Sequence, residues 1–216
     1  MPRYSTEPIV VPVASGLLPE SERNRRVALT SFSVRSEPPE VPQREVVCYE
    51  CGRRTQVPAA ALSAICTHCR AHLKMTDVDL KPGAQRLTVR TLGNVTVLAD
   101  AVLSQLSITC GNCYLHGRGS GTFRCSDLLK ISCNNRIEGP VQAGRLEVER
   151  GADVILTQGA TVDELVVSGR LSGRIVARRR VVVRRGGELY ANCFTPSLEV
   201  EQGATHRGEW HREQPV

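Results

Sequence analysis

Apolar and polar residues alternate through the second half of the chain in short phrases that keep returning. The phrases are Leu87-Thr-Val-Arg, Leu106-Ser-Ile-Thr, Leu129-Lys-Ile-Ser, Leu146-Glu-Val-Glu, Leu165-Val-Val-Ser, Val181-Val-Val-Arg and Leu198-Glu-Val-Glu. Their first residues lie 19, 23, 17, 19, 16 and 17 positions apart. Alternation at period two is the pattern of a strand with one face inward. A return every roughly 17–20 residues is that of a β-solenoid, in which each coil stacks on the next. The pattern therefore predicts an all-β right-handed β-helix over residues 81–212.

Leu146, Val148, Val154 and Leu156 are expected inside, with Glu147, Glu149 and Asp153 outside. Gly139, Gly151, Gly159, Gly169, Gly173, Gly186, Gly187 and Gly203, helped by Asn134 and Asn135, are placed to turn the corners. A left-handed hexapeptide helix would need apolar residues every six positions, a rhythm this chain does not hold. The 23-residue step from Leu106 to Leu129 reads as an insertion. Such a coil ends in open sheet edges, which must be capped or must pair with another copy. The end-coil residues Leu87, Val89, Leu198 and Val200, with Trp210, are the candidate polymerisation residues.

Residues 1–45 hold seven of the twelve prolines and little periodicity, and read as a disordered tail. A short membrane- or partner-binding motif around Ile9–Val13 or Val27–Val34 is the alternative for part of it. Residues 77–80 read as a linker between residues 46–76 and the repeats.

Residues 46–76 contain Cys48-Tyr-Glu-Cys51, fourteen intervening residues, then Cys66-Thr-His-Cys69. Two Cys-x-x-Cys pairs at this spacing predict a zinc ribbon, with Cys48, Cys51, Cys66 and Cys69 as the ligands of a structural Zn²⁺. Each pair forms a knuckle, and Gly52 supplies the positive φ that such a turn favours. Four thiolates close the coordination shell, so the ion is structural rather than catalytic. Iron in the same geometry, or a redox dithiol, are the other readings. His68 reads as a surface residue of the second knuckle. Arg53, Arg54, Arg70 and Lys74 give the unit a basic face, read first as solvated, then as a protein-docking surface, and last as nucleic-acid contact.

Five further cysteines are Cys110, Cys113, Cys125, Cys133 and Cys193. Cys110 and Cys133 follow matching phrases (Ile-Thr-Cys and Ile-Ser-Cys) and are expected to stack inside. A second metal site from Cys110, Cys113, Cys125 and Cys133 is the alternative to buried core thiols.

The chain has 216 residues and is 41% hydrophobic but only 4% aromatic, which suits a thin core of stacked aliphatics. Nine cysteines in a chain with no signal-peptide pattern point to a cytoplasmic protein with metal ligands and thiols rather than disulfides. The charge is +6. Arg178, Arg179, Arg180, Arg184 and Arg185 stand out as an exposed strip, for anionic lipid, polyphosphate or an acidic partner, or simply solvated beside Glu147, Glu149, Glu199 and Glu201. No catalytic motif is present, so an enzyme is not expected.

The passage Val167-Ser-Gly-Arg-Leu-Ser-Gly-Arg-Ile-Val-Ala-Arg-Arg-Arg-Val-Val-Val-Arg-Arg-Gly-Gly-Glu-Leu, followed by Thr195-Pro-Ser-Leu-Glu-Val-Glu-Gln-Gly-Ala, resembles a bactofilin domain. The resemblance extends over roughly residues 85–210 and is strongest from Arg145. It implies stacked short coils of triangular section and polymerisation through the helix ends, without nucleotide, into non-polar filaments. It also implies a bacterial cytoskeletal scaffold that shapes the cell or localises cell-wall or membrane-associated proteins, with peripheral membrane contact at the inner face. The ribbon departs from the commonest pattern and is placed where it can cover the N-terminal end of the helix. The alternative function is a zinc-ribbon adapter for a protein or nucleic acid, with the β-helix as a rigid spacer.

Overall fold

The computed structural model describes residues 42–83 and 87–212. The part of the expected tail before residue 42 lies outside the described residues. The ribbon consists of two hairpins. Strand β1 (Gln43–Val47) pairs antiparallel with β2 (Arg54–Pro58), and β3 (Ser63–Ile65) with β4 (His72–Lys74). The first strand thus begins three residues before the expected boundary at 46. Cys48, Val57, Cys66, Leu73 and Met75 form a small core of their own.

The rest is a single parallel sheet wound into a coil. Its strands are β5 (Val78–Leu80), β6 (Thr88–Arg90), β7 (Asn94–Val97), β8 (Val102–Leu115), β9 (Arg118–Ile131), β10 (Asn135–Ile137) and β11 (Val141–Val148). They continue as β12 (Asp153–Leu156), β13 (Ala160–Val167), β14 (Arg170–Val183), β15 (Glu188–Phe194), β16 (Leu198–Val200), β17 (Thr205–Arg207) and β18 (Trp210–His211). The described residues contain no helix, and none is long and apolar enough to cross a membrane.

Register partners sort the coil into three faces. Face A stacks Leu80, Val97, Leu115, Ile131, Val148, Val167, Val183 and Val200. Face B stacks Val89, Ile108, Phe123, Val141, Ala160, Ile175, Cys193 and Trp210. Face C runs from Leu103 and Gly119 through β10 and β12 to Leu171, Leu189 and His206. Each coil takes about 17 residues, as the pairing of Ile131 with Val148 illustrates. One aliphatic core fills the prism, and the inward residues from Leu106 to Leu189 are almost wholly buried.

The structure corrects the expected repeat alignment at one step. Leu129, Leu146, Leu165, Val181 and Leu198 do stack on face A. Leu106 instead lies on face B, where its partner in the next coil is Gly121, and the partner of Leu129 in the coil before is Cys113. The step from Leu106 to Leu129 is a change of face, so no insertion exists. Two faces share one alternating pattern, and period two carries no label saying which face a phrase belongs to.

Gly121 shows why particular corners need glycine. Its φ is +149°, and a Cβ there would sit 2.1 Å from the carbonyl oxygen of Leu106. A second displaced expectation concerns residues 77–80. Val78–Leu80 is not a linker but the first rung of face A, paired with Val95–Val97.

Candidate functional site

The four ribbon cysteines converge as their spacing predicts. In the first knuckle the Gly52 amide donates to Cys48 O at 2.9 Å. In the second the Arg70 amide donates to Cys66 O at 3.0 Å. Gly52 and Arg70 both take positive φ, 69° and 60°, immediately after the last cysteine of each pair. The four Sγ atoms lie within 4.8 Å of one another. Cys48 and Cys69 are 3.7 Å apart, and Cys51 and Cys66 are 3.8 Å apart. A tetrahedron with metal–sulfur bonds of about 2.3 Å has edges of about 3.8 Å, which these two separations match, so the four thiols could hold a metal ion. The amides of Cys69 and His68 point at Cys66 and draw its thiol down to about 6, while burial and the neighbouring thiols push Cys69 up to about 12. His68 contacts the Arg54 carbonyl at 3.2 Å and stays outside the cluster.

The ribbon is fastened to the first coil. The Leu92 amide donates to Lys74 O at 2.7 Å, and the buried Thr91 hydroxyl donates to Thr76 O at 2.7 Å. Arg90 pairs with Glu50 at 2.6 Å and lies over the Tyr49 ring. Arg53, Arg54, Arg70 and Lys74 are all exposed, and Arg54 pairs with Glu45 at 3.1 Å.

At the solenoid ends, β5 and β6 pair on one side only among the described residues, as do β16, β17 and β18. Val89 is buried and Leu87 partly so, both packed on the core of the first coil. Leu198 is half-buried, whereas Val200 and Trp210 are 42% and 41% exposed. The indole of Trp210 donates to Thr195 O at 3.0 Å. Sequence reasoning missed Val78 and Leu80, which form the first rung of the face that ends in Leu198 and Val200. The alternation Val78-Asp-Leu80 was the available signal, hidden by its proximity to the ribbon.

The arginine strip is resolved into two groups. Arg178, Arg179 and Arg180 lie before the Val181–Val183 segment of face A, and Arg184 and Arg185 after it. Arg178 pairs with Asp163 at 3.2 Å and Arg180 with Glu164 at 3.4 Å. The Arg185 amide donates to the Glu201 carboxylate at 2.8 Å. Of the expected acidic neighbours, Glu147 and Glu149 are instead engaged by Arg145 and Lys130. Arg180 and Glu164 are register partners one coil apart, whereas Arg145 reaches Glu147 two residues along its own strand.

Cys110 and Cys133 do not stack as expected. Cys110 is in register with Cys125, while the Cys133 thiol donates to Gly117 O at 2.9 Å elsewhere. Cys110, Cys113 and Cys125 bring their Sγ atoms within 4.8 Å of one another inside the core. Hydrogen bonding among the three thiols draws Cys110 down to about 5, and the contact with Cys110 pushes Cys113 and Cys125 well up.

The fold and its sites define a β-solenoid with a four-thiol ribbon fastened to its first coil. Residues 155–211 match the family described as Bactofilin, polymer-forming cytoskeletal. The match runs from β12 to β18 and takes in the closing coils, not the ribbon or the first coils. No curated protein and no solved structure matches the chain.

Proposed function

We propose that this chain is a non-enzymatic structural scaffold that assembles through its solenoid ends into nucleotide-independent filaments in the cytoplasm. The family match over the closing coils supports a polymer-forming role. The observation that carries the reading is the one-sided pairing of the terminal strands among the described residues. Unpaired ladder groups and half-exposed Val200 and Trp210 form an edge that natural sheets otherwise cover.

Head-to-tail stacking in register would set Leu198 and Val200 on Val78 and Leu80, and Trp210 on Val89, and would give a polar filament where the resemblance implies a non-polar one. Each junction would then continue the sheet and the aliphatic core together. The ribbon holds a structural Zn²⁺ through Cys48, Cys51, Cys66 and Cys69, since a closed four-thiolate tetrahedron suits zinc. It braces the first coil through Leu92, Thr91 and Arg90. Such a filament would serve cell shape or localise partner proteins, with Arg179 and Arg184 as exposed cations toward an anionic membrane face.

The test is negative-stain electron microscopy of the purified chain, with and without a zinc chelator, beside Val200→Lys. Filaments in the wild type that are lost in Val200→Lys support end stacking. Discrete particles in every condition overturn it and favour the adapter reading, in which the ribbon's basic face binds a partner. Filaments that persist in Val200→Lys move the junction away from this edge.

A further inference from the structure

Three cysteines outside the ribbon meet where packing alone does not ask for sulfur. Cys110 and Cys125 are register partners on face B, and Cys113 lies three residues beyond Cys110, on face A. Cys110 Sγ is 3.6 Å from Cys125 Sγ, and all three sulfurs lie within 4.8 Å of one another. The three side chains are 2%, 0% and 5% exposed. Down the same column as Cys125 the chain places Ala143 and then Val162. In the column of Cys113 it places Val95, Leu129 and Leu146. Hydrocarbon therefore fills these columns in the coils that follow, and sulfur replaces it three times across two adjacent coils.

We propose that Cys110, Cys113 and Cys125 form a second metal site, a three-thiolate pocket for a thiophilic d¹⁰ ion, zinc or cuprous copper. Thiolate ligands select these soft ions. An ion held at about 2.3 Å by three sulfurs spaces them about 3.8–4.0 Å apart, within the spread already present. Each thiol loses its proton to solvent as it ligates. Cys110 and Cys125 also border a groove of about 380 Å³ lined further by Val47, Tyr49, Thr91 and Leu92. Val47 and Tyr49 flank the ribbon ligand Cys48, so the groove opens between the ribbon and the coil. Cuprous copper is satisfied by the three sulfurs, whereas zinc would take a fourth oxygen ligand from the groove.

The test counts metal bound by the full chain, stripped and reduced under anaerobic conditions, in separate zinc and cuprous titrations. Two ions per chain are expected in at least one titration, falling to one in Cys113→Val and in Cys125→Ala. These substitutions install residues used at the same positions in adjacent coils, and circular dichroism checks the fold. X-ray absorption at the metal edge of the wild type, which distinguishes three-sulfur from four-sulfur coordination, needs no variant. Cys51→Ser should remove the ribbon ion and leave this one. A single ion lost in Cys51→Ser but kept in Cys113→Val overturns the second site and leaves the ribbon site standing. A single ion with the opposite behaviour supports this site and removes the ribbon's. Two ions untouched by either solenoid substitution, or none at all, also overturn it.

Discussion

Truncating Leu146 and Leu198 to alanine measures how stability is distributed along the coil. Leu146 is fully buried and lies in register between Leu129 and Leu165, which are fully buried too. Leu→Ala in a packed core costs about 3–5 kcal/mol, the larger values where the site cannot collapse. The ladders on both sides hold the coils about 4.8 Å apart, which limits collapse, so about 4 kcal/mol is expected. Leu198 is half-buried and, among the described residues, has only Val181 as a stacked neighbour, so about 1–2 kcal/mol is expected in dilute, unassembled protein. Urea unfolding followed by far-ultraviolet circular dichroism gives both numbers at matched protein concentration. Equal costs in dilute protein would refute the account of a one-dimensional core with a bare final coil. In assembled protein, the cost at Leu198 should rise toward that at Leu146, because a second copy supplies the missing neighbour.

Three further outcomes are expected. Gly121→Ala should cost about 3 kcal/mol or more by urea unfolding, since its Cβ would collide with the Leu106 carbonyl. Gly151→Ala, with φ +85° and open space, should cost about 1 kcal/mol. Removing metal with a chelator should raise amide hydrogen exchange in β1–β4 while protection in β11–β14 persists, because the ribbon core is only a few side chains. Burial pushes the Cys193 thiol up to about 11, so the folded state keeps a proton that the unfolded chain sheds near 9. Stability is unaffected below pH 9 and falls as pH rises toward 11, by about 2–3 kcal/mol at 1.4 kcal/mol per unit. Cys193→Ala should remove that part of the alkaline loss, read as the pH dependence of the urea midpoint.

Much of this architecture was legible because its physics is local. Alternation at Leu146-Glu-Val-Glu and its relatives reports one buried face directly, and two Cys-x-x-Cys pairs report their own convergence. What was not legible depends on register. Assigning Leu106 to the same face as Leu129 displaced the first coils, so Cys110 was matched to Cys133 rather than Cys125. The trio with Cys113 was therefore not separated from its neighbour. The same dependence hid the acids that meet Arg178 and Arg180, since Asp163 and Glu164 become neighbours only once the coils are stacked. Val78 and Leu80 were lost for another reason: three residues are too few to show a period beside a cysteine unit with a stronger signal.

The eight rungs of face A make the molecule a ruler. At about 4.8 Å per rung, each chain contributes about 38 Å along the coil axis. A fibre built by continuing this ladder would diffract at the spacing of cross-β material and could bind the dyes used to detect it. Neither signal would separate the working polymer from a misfolded deposit. The distinguishing mark is the longer axial repeat of about 4 nm, because only a folded chain counts eight rungs before the ribbon interrupts the pattern.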